Sequence, residues 1–169
     1  MSKIERNNNF KFEEQKQPMM NRYYRKQGYE YERTCGSENK LYDVKLYKNN
    51  KIITAEEKFL RKNHKQAILI ETIQDIKTND PGWLYKTKAK WIFWVMPNIW
   101  IILRRKRLLK YMKKYGSTLE KWMDVTGWGE TENRYLPIET IIERKIGRII
   151  KGKNIPEMRK ILNKKKRLI

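Results

Sequence analysis

Asp43, Glu56 and Lys58 are the residues of this chain whose types and spacing suit joint chemistry. Asp43 interrupts Leu41-Tyr42-Asp43-Val44-Lys45-Leu46-Tyr47, a run that otherwise reads as a strand, where Asp is depleted. A short polar turn, Asn49-Asn50-Lys51, separates it from a second β-prone run containing Thr54-Ala55-Glu56-Glu57-Lys58-Phe59-Leu60. Side chains alternate along a strand, so Glu56 and Lys58 share one face and Glu57 points to the other. If the two runs form a hairpin, two carboxylates and an ammonium converge on one patch of sheet. Paired carboxylates are hard oxygen donors of the kind Mg²⁺ prefers. A neighbouring Lys can orient a water and offset charge that develops on a phosphate.

The Glu-x-Lys triplet carries little information alone. It occurs four times, at Glu14-Gln15-Lys16, Glu38-Asn39-Lys40, Glu56-Glu57-Lys58 and Glu143-Arg144-Lys145. The first and last fall in helical contexts, where positions i and i+2 do not share a face. The second lies in a Gly-Ser-Glu-Asn turn. Only Glu56-Glu57-Lys58 sits on an expected strand with a strand-borne Asp across a turn.

The elements needed to position these groups are legible in part. Residues 8–27 read as a polar helix that ends at Gly28, with Pro18 kinking or dividing it. Tyr29 to Thr34 alternates aromatic and charged residues, as a half-buried strand does. Strands of about 41–48 and 52–60 form the hairpin. Ala67 to Gln74 is nearly continuous in apolar residues and reads as a central strand buried on both faces. Glu71 stands inside that run, where a carboxylate is costly without a partner. Asn79-Asp80-Pro81-Gly82 is a turn, 83–90 a short basic helix, 91–96 a buried strand, and 99–103 another strand after Pro97-Asn98. Residues 104–115 read as a basic helix stopping at Gly116, with Leu108, Leu109 and Met112 as its apolar stripe. Beyond it, Gly127 and Gly129 mark a loop, 134–138 a strand and 138–150 a helix. The charge run Asn163 to Arg167 closes a basic tail.

At Asp43, Glu56-x-Lys58 and the apolar strand Ile68 to Gln74, the chain resembles the PD-(D/E)xK nuclease superfamily, in the small form found in phages and mobile elements. Gly82-Trp83-Leu84-Tyr85-Lys86-Thr87-Lys88-Ala89 and the aromatic strand after it add to the likeness. It covers residues 8–103, or to 138 if Gly129 to Asn133 continues it. Tyr42 stands where the family motif has Pro. The resemblance implies an α/β fold with a restriction-endonuclease-like αβββαβ core, a mixed central sheet flanked by helices, and extra C-terminal helices. With no internal repeat and no Gly/Ser/Pro linker, the chain reads as one domain over 1–150 and a basic tail over 151–169. The resemblance also implies Mg²⁺-dependent (or Mn²⁺-dependent) hydrolysis of DNA. Asp43 and Glu56 would be metal ligands, with the Glu57 backbone carbonyl a third and Lys58 beside the attacking water. Glu14, with Glu13 close behind, is the helix-borne ligand candidate, and Glu71 and Gln74 are later contributors.

Composition agrees with a polyanionic partner. Forty Lys and Arg oppose nineteen Asp and Glu, for a net charge of +21. Arg22-Tyr23-Tyr24-Arg25-Lys26 and Trp83 to Trp91 interleave bases with rings, so Arg22, Arg25, Tyr85, Lys86, Lys88 and Lys90 are the candidate nucleic-acid contacts. One cysteine, Cys35, excludes an internal disulfide, and one histidine, His64, cannot build a zinc site with it. The most apolar window, Ile92 to Leu103, contains Pro97 and falls short of the roughly twenty residues of a spanning helix. Residues 1–6 include no apolar core of a signal peptide. A cytoplasmic protein of a bacterial or phage-infected cell, with DNA and not a membrane as partner, is therefore expected. A homodimer and a larger host or phage protein complex stay open. So do two alternatives on the same fold: a non-catalytic nucleic-acid-binding protein, and an inhibitor of a host defence complex.

Overall fold

The computed structural model describes residues 3–38, 41–62, 66–126 and 129–151. His64, Gly127 and the charge run Asn163 to Arg167 lie outside them. The chain opens with α1 (Lys3–Lys26), a continuous helix that carries Pro18 inside it. Its end is set by Gly28 at φ +74, a conformation that side chains with a Cβ resist. Tyr29 N–H donates to Tyr24 O and Gly28 N–H to Arg25 O, so the last carbonyls of the helix are satisfied in a Schellman closure.

The chain then enters β1 (Glu30–Arg33), β2 (Val44–Lys48) and β3 (Lys51–Phe59), a three-stranded antiparallel run. Asn49 and Asn50 turn β2 into β3 at φ 51 and 57. Two consecutive left-handed residues form the tight hairpin turn that Asn tolerates best among residues with a side chain. Strand β4 (Ala67–Asp75) follows, then β5 (Asp80–Pro81), α2 (Trp83–Lys86), β6 (Trp91–Val95), β7 (Trp100–Arg104) and α3 (Arg105–Tyr115). The last part holds β8 (Lys121–Thr126), β9 (Gly129–Pro137), α4 (Ile138–Glu143) and β10 (Gly147–Lys151). The six-stranded sheet has the order β1-β2-β3-β6-β7-β10, and a second sheet has the order β5-β4-β9-β8. β3 and β6 run parallel; the other neighbours within the larger sheet are antiparallel. The protein is thus α/β, with a mixed sheet of six strands and a separate antiparallel sheet.

Strands β6 and β7 are buried on both faces and divide two cores. Phe93, Val95, Trp100 and Ile102 face α1, where they meet Met20 and Tyr24 together with Val44, Leu46 and Ala55. Ile92, Trp94, Ile101 and Leu103 face the other way, against Leu84, Leu108, Met112, Ile141 and the β4 residues Ile68 and Ile70. Among the described residues no helix is long and apolar enough to cross a membrane.

Two sequence expectations are overturned here. The run Ala67 to Gln74 is not a central strand of the main sheet. It pairs with β9 and β5 in the second sheet, burying Ile68 and Ile70 on one face only, while Leu69 and residues 71–75 are half-buried. Its polar positions Glu71, Thr72 and Gln74 suit a strand covered on one side. Residues 138–150 are not one helix: α4 stops at Glu143, Lys145 turns the chain at φ 54, and β10 becomes the edge of the main sheet beside β7. The expected helix over 83–90 is shorter, ending at Lys86, and 87–90 is irregular.

Gly82 fixes α2 to β4 by close approach, since a Cβ there would stand 2.2 Å from Glu71 O. Its own N–H donates to Thr72 O at 2.9 Å. Gly82→Ala is expected to cost about 3 kcal/mol or more through overpacking against backbone. Gly36→Ala, at φ +60 but in open space, should cost only about 1 kcal/mol. Urea midpoints of the two variants measure the difference, and equal costs would contradict the packing account.

Candidate active site

β2 begins at Val44, which pairs with Ala55, so the expected strand over 41–48 starts late and Asp43 stands one position before it, its N–H donating to Ala55 O. Val44 and Ala55 bury against α1, so alternation turns Asp43, Glu56 and Lys58 to the far face, beneath α2. There Glu56 Oε1 is 2.6 Å from Lys58 Nζ. Lys58 Nζ also lies over the Trp83 indole, 5.0 Å from its centroid. The Thr87 hydroxyl is 3.1 Å from Glu56 Oε2 and 2.9 Å from Leu41 O, and its single proton serves one of them at a time. Asp43 Oδ2 accepts the Glu57 backbone N–H at 2.6 Å, while Asp43 N–H donates to Ala55 O. The structure therefore brings Asp43, Glu56 and Lys58 together.

Electrostatics at this point are unbalanced. Burial, then the facing Glu56 carboxylate, push Asp43 up to about 7, against the Glu57 N–H and the Lys58 charge, which favour ionisation. Burial opposes the charged form of Lys58, but Glu56, Asp43 and Glu13 together more than offset it, so its pKa lies above the ordinary value. On α1 the acid that senses the cluster is Glu13, not Glu14. Burial raises the Glu13 pKa; Lys58 opposes the rise, and Glu56 and Glu57 add to it. Glu14 points to solvent. Three carboxylates thus share the field of one ammonium. Among the described residues no three acidic, His or Cys side chains form a ready-made metal cage. The nearest donor set is the Asp43 and Glu56 pair.

Glu57 turns the other way and is buried against α1. Its carboxylate receives Arg33 Nη1 at 2.5 Å and the Tyr24 hydroxyl at 2.6 Å. Asn21 Oδ1 in turn accepts from Arg33. Burial and the Glu57 charge hold the Tyr24 pKa well above its usual value, so it remains a donor. The clamp keeps the Glu57 carboxylate away from the Asp43 and Glu56 cluster, which its residue reaches through the backbone N–H.

The remaining candidates are spread around the cluster. Glu71 accepts the Trp83 backbone N–H at 3.0 Å, so it holds the start of α2 and through it the ring beneath Lys58. Gln74 accepts from Lys86 Nζ at 2.6 Å, and Lys86 also pairs with Asp80 at 2.5 Å. Tyr85 is largely exposed. Lys88 and Lys90 are exposed on a segment stitched to the hairpin by Lys88 N–H to Leu41 O and Lys90 N–H to Thr54 O, at the Asp43 end. Arg22 and Arg25 are exposed on α1, across the sheet from this site, and Arg25 lies over the Tyr31 ring at 5.3 Å. The two aromatic-basic stretches therefore do not form one surface.

Sequence reasoning overlooked Thr87, Trp83 as the floor under Lys58, and Arg105, which donates to Leu84 O and Tyr85 O and ties α2 to α3. None has a local signal, because each acts through a contact distant in sequence. No protein-family model, curated protein or solved structure matches this chain.

The raised Asp43 pKa makes the folded state bind a proton more tightly than the unfolded chain. Its contribution is therefore most favourable at acid pH and is lost as pH rises from about 4 to about 7. In chelator, Asp43→Asn, which keeps an acceptor for the Glu57 N–H, should stabilise the protein at pH 8 and leave it unchanged near pH 4. The gap should open by at most about 1.4 kcal/mol per pH unit. Urea unfolding of both proteins across this range measures it; a gap that does not grow with pH would refute the assignment.

Proposed function

We propose that the chain is a metal-dependent deoxyribonuclease that hydrolyses phosphodiester bonds at the Asp43, Glu56 and Lys58 cluster. One observation carries this reading: Asp43 and Glu56 lie close enough that the Glu56 carboxylate raises the Asp43 pKa, although Lys58 Nζ stands 2.6 Å from Glu56. Excess carboxylate in a partly buried pocket is the condition under which a divalent cation binds well. The element order supports it too. α1 precedes an antiparallel β1-β2-β3 run, and β6 returns parallel to β3, as an αβββαβ core requires. Strands β4 and β5, with their sheet, are then an insertion ahead of α2.

Asp43 and Glu56 would hold Mg²⁺ or Mn²⁺, with the Glu57 carbonyl as a further oxygen donor. Bound there, the metal supplies Lewis acidity toward a phosphate oxygen. Lys58, anchored by Glu56 and the Trp83 ring, orients the water and offsets charge that develops on the phosphate. Glu13 adds negative charge from the α1 side, and Thr87 restrains the Glu56 carboxylate. Lys88 and Lys90, exposed beside the hairpin, meet the DNA backbone.

A second reading also has an observation behind it. Glu56 is already satisfied by Lys58 and Thr87, which suits a structural ion pair in a non-catalytic nucleic-acid-binding protein or an inhibitor of a defence complex. A cleavage panel separates the two readings. Single-stranded, duplex and branched DNA are incubated with EDTA, Mg²⁺ or Mn²⁺. Metal-dependent cutting is expected, falling about 100-fold or more in Glu56→Gln and Lys58→Ala. Full activity in Glu56→Gln, or binding with no metal-stimulated cleavage, would reject the nuclease. Because Asp43 must ionise to bind metal, apparent Mg²⁺ affinity should rise with pH by up to about tenfold per unit below 7 and level off above it. Titration of Mg²⁺ at several pH values reads this directly.

A further inference from the structure

On the α1 side of the main sheet, away from the acidic cluster, a cleft of about 520 Å³ opens among Tyr29, β6, β7, α3 and β10. Four cations line it, Arg104, Arg107, Lys145 and Arg148, together with the rings of Trp91 and Tyr29. No acidic residue lines it. Among the described residues none of the four cations forms an ion pair with a carboxylate. Like charges gathered without counter-charge repel one another, so their convergence costs stability unless an anion joins them.

The cleft is also built and not merely lined. Arg107 Nη1 donates to Lys145 O at 2.7 Å, which holds the left-handed turn at Lys145 against α3. Arg148 pairs with Ile102 in the β10 to β7 register, and Trp91 with Arg104 in the β6 to β7 register. Four cations therefore sit on, or are tied to, rigid elements. The first turn of α3 contains Arg105, Lys106 and Arg107 and no acid. That arrangement is the reverse of what the helix dipole favours, so these charges do not serve the helix. Trp91 and Tyr29 are half-buried and meet edge to face, 6.2 Å apart.

We propose that this cleft binds a segment of single-stranded nucleic acid, its phosphates held by Arg104, Arg107, Lys145 and Arg148 and a base against the Trp91 and Tyr29 rings. Its volume suits a nucleotide-sized group. Arginines grip phosphate bidentately, and aromatic rings accept any unpaired base, whereas the bases of a duplex are already stacked. β6 begins at Trp91, whose partner Ala55 adjoins Glu56, and Lys90 just before it is exposed, its N–H bonded to Thr54 O. A strand held here would reach the acidic cluster past Lys90 and Lys88; this last step rests on the nuclease reading, whereas binding in the cleft does not.

Fluorescence anisotropy with a labelled oligo-dT of about a dozen nucleotides, in EDTA, tests it. Arg104→Ala with Arg148→Ala, both on exposed positions, should weaken binding at least tenfold. It should also lower the salt slope by about 1.4, two phosphate contacts at about 0.7 each. Lys113→Ala with Lys114→Ala removes the same charge at the far end of α3 and should change affinity less than twofold. Oligo-rU run alongside should show the same dependence on the cleft. An abasic oligonucleotide and a duplex should each bind at least fivefold more weakly. Equal losses in the two double variants, or equal binding of the abasic strand or duplex, would overturn the proposal. Binding through the cleft with no cleavage would remove the nuclease reading alone. Cleavage with normal binding by Arg104→Ala with Arg148→Ala would remove the cleft alone.

Discussion

The architecture depends on the Glu57 carboxylate being buried against α1 and paired there with Arg33 and Tyr24. Its carboxylate takes Arg33 from β1 and Tyr24 from α1 while its own residue belongs to β3, so one charge joins three elements. A buried carboxylate stripped of its partner is strongly destabilising, which makes this contact a registry device for the hairpin. A slip of β3 by one residue would exchange its faces. Lys58 and Glu56 would then enter the α1 core, and Glu57 would face α2 without Arg33. The orientation of the candidate site is therefore a consequence of where Glu57 has been neutralised.

On the opposite face the charge arithmetic is different. Glu57 has one guanidinium and one hydroxyl to itself, whereas Asp43, Glu56 and Glu13 share Lys58. The same strand thus carries a balanced carboxylate on one side and an unbalanced set on the other. That contrast separates a clamped acid from undercompensated ones more clearly than the Glu-x-Lys spacing does. Lys88 and Lys90 by the hairpin, and Arg104, Arg107, Lys145 and Arg148 in the cleft across the sheet, lie outside this cluster.

The second sheet explains why a strand so apolar in sequence stands apart from the main one. β4 pairs with β9 and anchors α2 through Glu71 and through the Gly82 contact. α2 delivers the Trp83 ring to Lys58, and the segment after it delivers Thr87 to Glu56. Glu71 was legible as a carboxylate in need of a partner. That its partner is a backbone N–H of α2 was not, because nothing local links positions 71 and 83. The sequence put Glu14 ahead of Glu13, and the rotation of α1 on the sheet reversed that order, leaving Glu14 exposed and Glu13 in the field of Lys58.

Local physics determined much of this protein from its sequence alone. Gly28 closes α1, Asn49 and Asn50 turn the hairpin, and alternation joins Glu56 to Lys58. These follow from the dihedral preferences and periodicities of neighbouring residues. What the tertiary structure decided is which strands share a sheet, which acid of α1 faces Lys58, and which cations meet in one cleft. Arg104, Arg107 and Arg148 come from three elements and Lys145 from the turn before β10, up to 44 positions apart. Their meeting depends on β10 joining the edge of the main sheet, and that pairing is non-local, written in the fit of two cores and in no short stretch of chain.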